Sequence, residues 1–216
     1  MEKKILDFFS GIGKSLGSGK LNLGSLLQKA GVTDAINRTK AQVHAQAQAQ
    51  THTQTYTFQA LPKTVAELQA LPEATMNDVY AVAALSVLAL MRFEESRADA
   101  VEMLNFLKGP DDMSPTELQQ ISDRFMDGKF YKVRSFFEGA TPANNYSPAQ
   151  PFRIQVSSNP YSFENEGWAT LYMHSGGADN PRPIRLRMKP STGQWFMVEI
   201  QYLGDIRIPA AEDKWR

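Results

Sequence analysis

Cysteine is absent from all 216 residues. Its absence excludes disulfides, thiolate nucleophiles and cysteine-ligated zinc, and it fits a reducing compartment. Long apolar runs are missing as well. The longest, Tyr80–Met91, is 12 residues with one serine among them, well short of the ~20 a membrane-spanning helix needs. The N-terminus, MEKKILDFFSGIGKSLG, opens on lysines as a signal peptide does, but Asp7, Ser10 and three glycines interrupt any apolar core. A soluble, cytoplasmic protein is expected.

Charge is not in excess either way, at 23 basic against 23 acidic residues. The two parts differ: residues 1–60 carry seven Lys/Arg and three Asp/Glu (+4), and residues 61–216 carry sixteen and twenty (−4). A slightly acidic body lacks the clustered basic footprint of a nucleic-acid binder, so no nucleic-acid partner is expected. Phosphate-loop chemistry is excluded by spacing. A P-loop needs glycine five residues before its Gly-Lys pair, but Phe8 stands there before Gly13-Lys14, and Lys14 before Gly19-Lys20. Leu16 occupies the third glycine's place in a GxGxxG reading. His44 and His52 are too sparse for a metal claim, and Asp111-Asp112 matches no calcium loop. No metal, cofactor or catalytic residue is assigned.

What the chain does have begins with residues 41–58, AQVHAQAQAQTHTQTYTF. From Val43 to Thr57 every odd position is Val, Ala or Thr, and every even one Gln, His or Tyr. So few large apolar groups cannot bury enough surface to offset the entropy of ordering, which makes the tract a linker. Three other readings stay open, one of them a helix, since Ala and Gln from 45 to 50 are good helix formers. The period of two and the β-formers of Thr51–Phe58 suit a strand, and Gln-rich alternation also pairs with itself.

Ahead of the tract, Ile5, Phe8, Phe9, Ile12 and Leu16 recur at helical spacing on one face. Glycines at 11, 13, 17, 19 and 24 each cost a helix interior about 1 kcal/mol. A helix there is expected to form when the apolar face meets a protein partner, another copy, a membrane surface or the chain's own body.

After the tract, helix signals come first. Thr64-Val-Ala-Glu67 is a capping box opening a short helix that Pro72 stops. Asn77 or Asp78 caps VYAVAALSVLALMRF, apolar on nearly all sides and thus the expected central helix. Ser96 starts a third helix with Val101, Met103, Leu104 and Leu107 inward, ended by Gly109-Pro110. Ser114-Pro115-Thr116-Glu117 starts a fourth, which Gly128 ends. The pattern then turns to period two: Phe152–Val156, Trp168–His174, Ile184–Lys189 and Gln194–Tyr202 read as strands with short connections, an antiparallel meander. Ile206 and Ile208 suggest one more edge strand.

Two spots carry candidate chemistry. Arg185, Arg187 and Lys189 form a cationic stripe, with Arg182 and Arg153 adjoining. It is either an anion or acidic-peptide site or a solvated face partnered by Glu199, Glu164 or Glu166. His174, Ser175 and Asp179 fall within six residues, but Ser175 sits in no GxSxG elbow. Gly176-Gly177 is expected to give a turn its backbone freedom, with Asp179 bonding the loop.

The segments LPKTVAELQALPEA, DRFMDGKFYKVRSFFEGATPANNYSPAQPF, NPYSFENEGWATLYMHSGGADNPRPIRLRMKPSTGQWFMVE and IRIPAAEDKW resemble a bacterial domain family of unknown function, from about residue 58 to the end. Its members similarly carry a variable amphipathic, low-complexity N-terminal region. The resemblance implies no activity, substrate or cofactor, and brings no functional residue with it.

The expected organisation is therefore an amphipathic extension (1–40), a low-complexity linker (41–58) and an α+β domain (59–216). In that domain about four bundled helices pack on an antiparallel meander of four or five strands. The expected role is a non-enzymatic interaction or adaptor module that docks a partner or another copy through residues 1–40. A membrane-surface protein anchored by the same residues, and an enzyme using the Arg-rich face or the His174–Asp179 loop, are the alternatives.

Overall fold

The computed structural model describes residues 51–215. The amphipathic set Ile5–Leu16 and the tract up to residue 50 lie outside the described residues. Within them the chain is α+β. Strand β1 (Thr53–Phe58) comes first, then helices α1 (Val65–Gln69), α2 (Val79–Met91), α3 (Arg97–Lys108), α4 (Pro115–Phe125) and α5 (Tyr131–Arg134). Strands β2 (Phe152–Ser157), β3 (Trp168–Met173), β4 (Arg182–Met188) and β5 (Trp195–Ile200) follow. The five strands form one antiparallel sheet in the order β1-β2-β3-β4-β5.

The end of the alternating tract is thus strand, not linker. Tyr56 and Phe58 bury their rings in the core while Thr53, Thr55 and Thr57 stay exposed. Two aromatics on one face give this stretch the apolar area that the Ala/Gln portion lacks. Its pairing runs from Thr53 opposite Ser157 to Phe58 opposite Phe152.

Helix α2 organises the core. Asp78 caps it by accepting from the Tyr80 N–H at 2.9 Å. Eleven of its residues are buried, because the helix crosses the sheet, touches all five strands and carries α3 on another side. The inward strand residues beneath it alternate as period two requires: Ile154 and Val156, Ala169 and Leu171, Ile184 and Leu186, then Met197. Helix α3 contributes Met103, Leu104 and Leu107, with Val101 only half-buried. Helix α4 opens on the full Ser114/Glu117 capping box and is anchored by Phe125, whose ring lies 5.7 Å from Phe93 and 5.2 Å from Phe130. At α1 the box is displaced: Thr64 accepts from the Glu67 N–H, but the Glu67 carboxylate accepts from Lys63 N–H instead of that of Thr64.

Residues Ile206 and Ile208 do not form the extra edge strand. Arg207 N–H donates to the Gly177 carbonyl at 2.9 Å, so this backbone is tied to a loop. Ile206 is buried there and Ile208 is exposed. Among the described residues, no helix is long and apolar enough to cross a membrane.

Candidate functional site

The sheet face opposite α2 carries the cationic stripe. Period two along β4 puts Ile184 and Leu186 into the core and Arg185 and Arg187 out. The register sets Arg187 beside Trp168 of β3, and Arg185 beside Thr170. Both guanidiniums turn onto the indole, at 5.2 Å (Arg185) and 5.0 Å (Arg187) from its centroid. That is cation–π range, so both cations contact the Trp168 ring. On the β5 side Arg187 pairs with Phe196 and Arg185 with Glu199.

The cations are not equivalent. Arg185 meets the Glu199 carboxylate at 3.7 Å, an exposed pair. Arg182 belongs to structure instead of the stripe. It donates to the Asp205 carbonyl at 2.8 Å, approaches the Asp205 carboxylate, and has its Nε buried. Arg153 pairs with Glu138 at 2.7 Å. Arg187 and Lys189 have no carboxylate partner among the described residues, and Glu164 and Glu166 reach neither. Of the expected set, then, Arg187 has its donors uncommitted, Arg185 is shared, and Arg182 is spent on the 202–206 turn.

A groove of about 420 Å³ opens beside this pair, between the C-terminal end of α3 and strand β5, with Lys108, Trp168, Arg187, Lys189 and Phe196 on its walls. Lys108 is paired with Glu117, which also lines the groove. Burial pushes the Glu117 carboxyl upward, but the bonds from Lys108 and Ser114 outweigh it and hold it below the usual carboxylate range. Glu117 therefore stays ionised and neutralises Lys108; of the other charges on the walls, Arg187 and Lys189 stand against the single carboxylate of Asp111, with which neither forms an ion pair. Gly109 closes the α3 end. It sits at φ 97°, and a side chain there would collide with the Phe196 ring.

The His174–Asp179 loop keeps its three candidates apart. His174 Nε2 meets Ser157 Oγ at 3.0 Å, Ser175 Oγ donates to Ser135 Oγ at 2.8 Å, and Asp179 pairs with Arg207. Each has its own partner, and they form no relay. Burial lowers the His174 pKa. The two glycines serve close approach, not turn freedom. A Cβ on Gly176 would strike the Ala140 carbonyl, and one on Gly177 the Tyr146 hydroxyl and Ile206. Among the described residues no group of acidic or histidine side chains is arranged to hold a metal ion.

Sequence reasoning missed Trp168 as the platform of this face. The available signal was a tryptophan opening a strand that neighbours the Arg-X-Arg strand, since register sets them side by side only once β3 and β4 are paired.

No curated protein matches this chain, and no solved structure matches it. Residues 60–210 match the family described as Domain of unknown function (DUF6935), a span that includes α1 through β5 and leaves β1 ahead of it. That match covers well over half of the sequence, and the chain belongs to this family.

Proposed function

We propose that this protein is a non-enzymatic interaction module that captures an acidic peptide segment of a protein partner in the groove beside Trp168. The observation that carries the reading is Arg187, stacked 5.0 Å from the Trp168 ring centroid with no carboxylate of its own among the described residues. The contact with the ring restrains the guanidinium before any ligand arrives, so less side-chain entropy remains to be lost on binding. Its in-plane donors suit a carboxylate, and Lys189 adds a second cation. Phe196, Met188 and Pro190 give the same groove an apolar wall, which favours a segment mixing acidic and apolar residues over a bare polyanion.

Fluorescence anisotropy of a labelled Asp/Glu- and Leu-containing peptide tests this. A charge-assisted contact is worth about 1.5–3 kcal/mol, so Arg187→Ala is expected to weaken binding by roughly tenfold or more. Arg153→Ala, whose guanidinium is occupied by Glu138, is expected to change little. Equal affinity for wild type and Arg187→Ala ends the proposal.

The amphipathic set Ile5, Phe8, Phe9, Ile12 and Leu16 supplies a second attachment in this reading, to the partner or to a membrane surface. Flotation of the full chain with anionic liposomes separates the two. Co-flotation that Phe8→Asp abolishes assigns the set to lipid, and no flotation assigns it to protein.

A further inference from the structure

The two edges of the sheet are built differently. On β5, Trp195 N–H is taken by the Met76 carbonyl at 2.7 Å, the register shifts opposite Arg185/Leu186, and Glu199 puts a carboxylate on the strand. A bulge and a charge are devices that stop an edge from pairing with another chain. Edge β1 has none of them. Its pairing to β2 is unbroken over six residues, and the sequence from Ala41 to Leu61 contains no Asp, Glu, Lys, Arg or Pro.

The hydrogen-bond phase shows what this edge offers. Ser158 N–H donates to the His52 carbonyl at 2.8 Å, so His52, Gln54, Tyr56 and Phe58 direct their backbone groups towards β2. By alternation, Thr53, Thr55 and Thr57 direct theirs the other way. Those N–H and C=O groups have no backbone partner among the described residues, and the three threonine side chains are exposed. The edge presents a row of one residue type.

We propose that β1 pairs antiparallel with β1 of a second copy of this chain, joining two five-stranded sheets into one of ten. A two-fold pairing brings a strand against itself, so any charge on it would face its own kind; an uncharged strand is the sort that tolerates this. Threonine opposite threonine is a favourable cross-strand pair. The sequence alternation, which continues upstream to Val43, is equally self-matching. The strand lies ahead of the family-matched residues 60–210.

The test is the mass of the full chain by light scattering after size exclusion, over a series of micromolar concentrations. The wild type is expected at twice the mass of one chain. Thr55→Lys, which sets like charges together across the two-fold, and Thr55→Pro, which removes one outward N–H from an edge position that tolerates proline, are each expected to give single chains. Circular dichroism matching wild type shows that both variants fold; if one does not, the other decides. A wild type of single-chain mass overturns the proposal. So does a dimer that both variants leave intact, a dimer that only Phe8→Asp dissolves, or a mass that climbs beyond two chains.

Discussion

Ser86 and Tyr202 meet hydroxyl to hydroxyl at 2.8 Å, both fully buried, where α2 faces the segment after β5. Ser86 Oγ gives its proton to the Ala83 carbonyl at 2.6 Å, so the tyrosine must be the donor to the serine. Burial raises the Tyr202 pKa, keeping that proton in place throughout the working pH range. The pair ties the C-terminal segment to the central helix, and Phe136 stacks edge-on against the same ring at 4.9 Å.

The pair is expected to be strongly non-additive. Ser86→Ala strands a buried tyrosine hydroxyl and is expected to cost about 1–3 kcal/mol. Tyr202→Phe, which leaves Ser86 bonded to Ala83, is expected to cost about 1 kcal/mol. The double variant replaces both partners with apolar groups and is expected to cost less than the sum of the two. Urea denaturation of the four proteins measures the coupling.

Gly176→Ala is expected to destabilise by about 1–3 kcal/mol, because the new methyl meets the Ala140 carbonyl, which is backbone and cannot swing away. At roughly 2–4 °C per kcal/mol for a domain of this size, a thermal melt resolves it. Ser191→Ala, in the exposed turn between β4 and β5, is the control and is expected to melt within about 1 °C of wild type.

His174 gives stability a pH dependence of known sign. Burial disfavours its charged form, so its native pKa lies below the ordinary 6.5. As pH falls below 6.5 the unfolded chain takes up this proton before the native one does, and stability drops; above that pH the histidine has no such effect. The melting temperature is expected to decline from pH 7 towards pH 5, and less steeply in His174→Gln, which keeps a polar partner for Ser157.

Much of this fold is written in local signals. Ser114-Pro-Thr-Glu117 and the largely apolar α2 carry their own start marks and burial pattern, and Ile184–Met188 alternates cleanly enough to show which face each arginine takes. What local pattern could not supply was pairing. Strand β1 is separated from its partner β2 by the whole helical half, so its membership in the sheet rests on Tyr56 and Phe58 finding α2. Arg182, three residues before Arg185, falls on the other parity of β4 from Arg185 and Arg187, and it donates to the Asp205 carbonyl instead of joining the stripe. The His174–Asp179 cluster was adjacent in sequence and dispersed in space for the same reason: each side chain answers to a distant partner.

Capture of an acidic segment by Arg187 in the groove beside Trp168 is the proposed role of this surface. An NMR titration of the isotope-labelled full chain with an Asp/Glu- and Leu-containing peptide tests it most directly, by following the Trp168 indole N–H and the amides of Arg187, Lys189 and Phe196. Saturable shifts centred on those four residues are expected, suppressed by high salt, with the Trp168, Lys189 and Phe196 shifts needing roughly tenfold or more peptide in Arg187→Ala. Shifts that leave Trp168 and Arg187 still while moving another surface would contradict it.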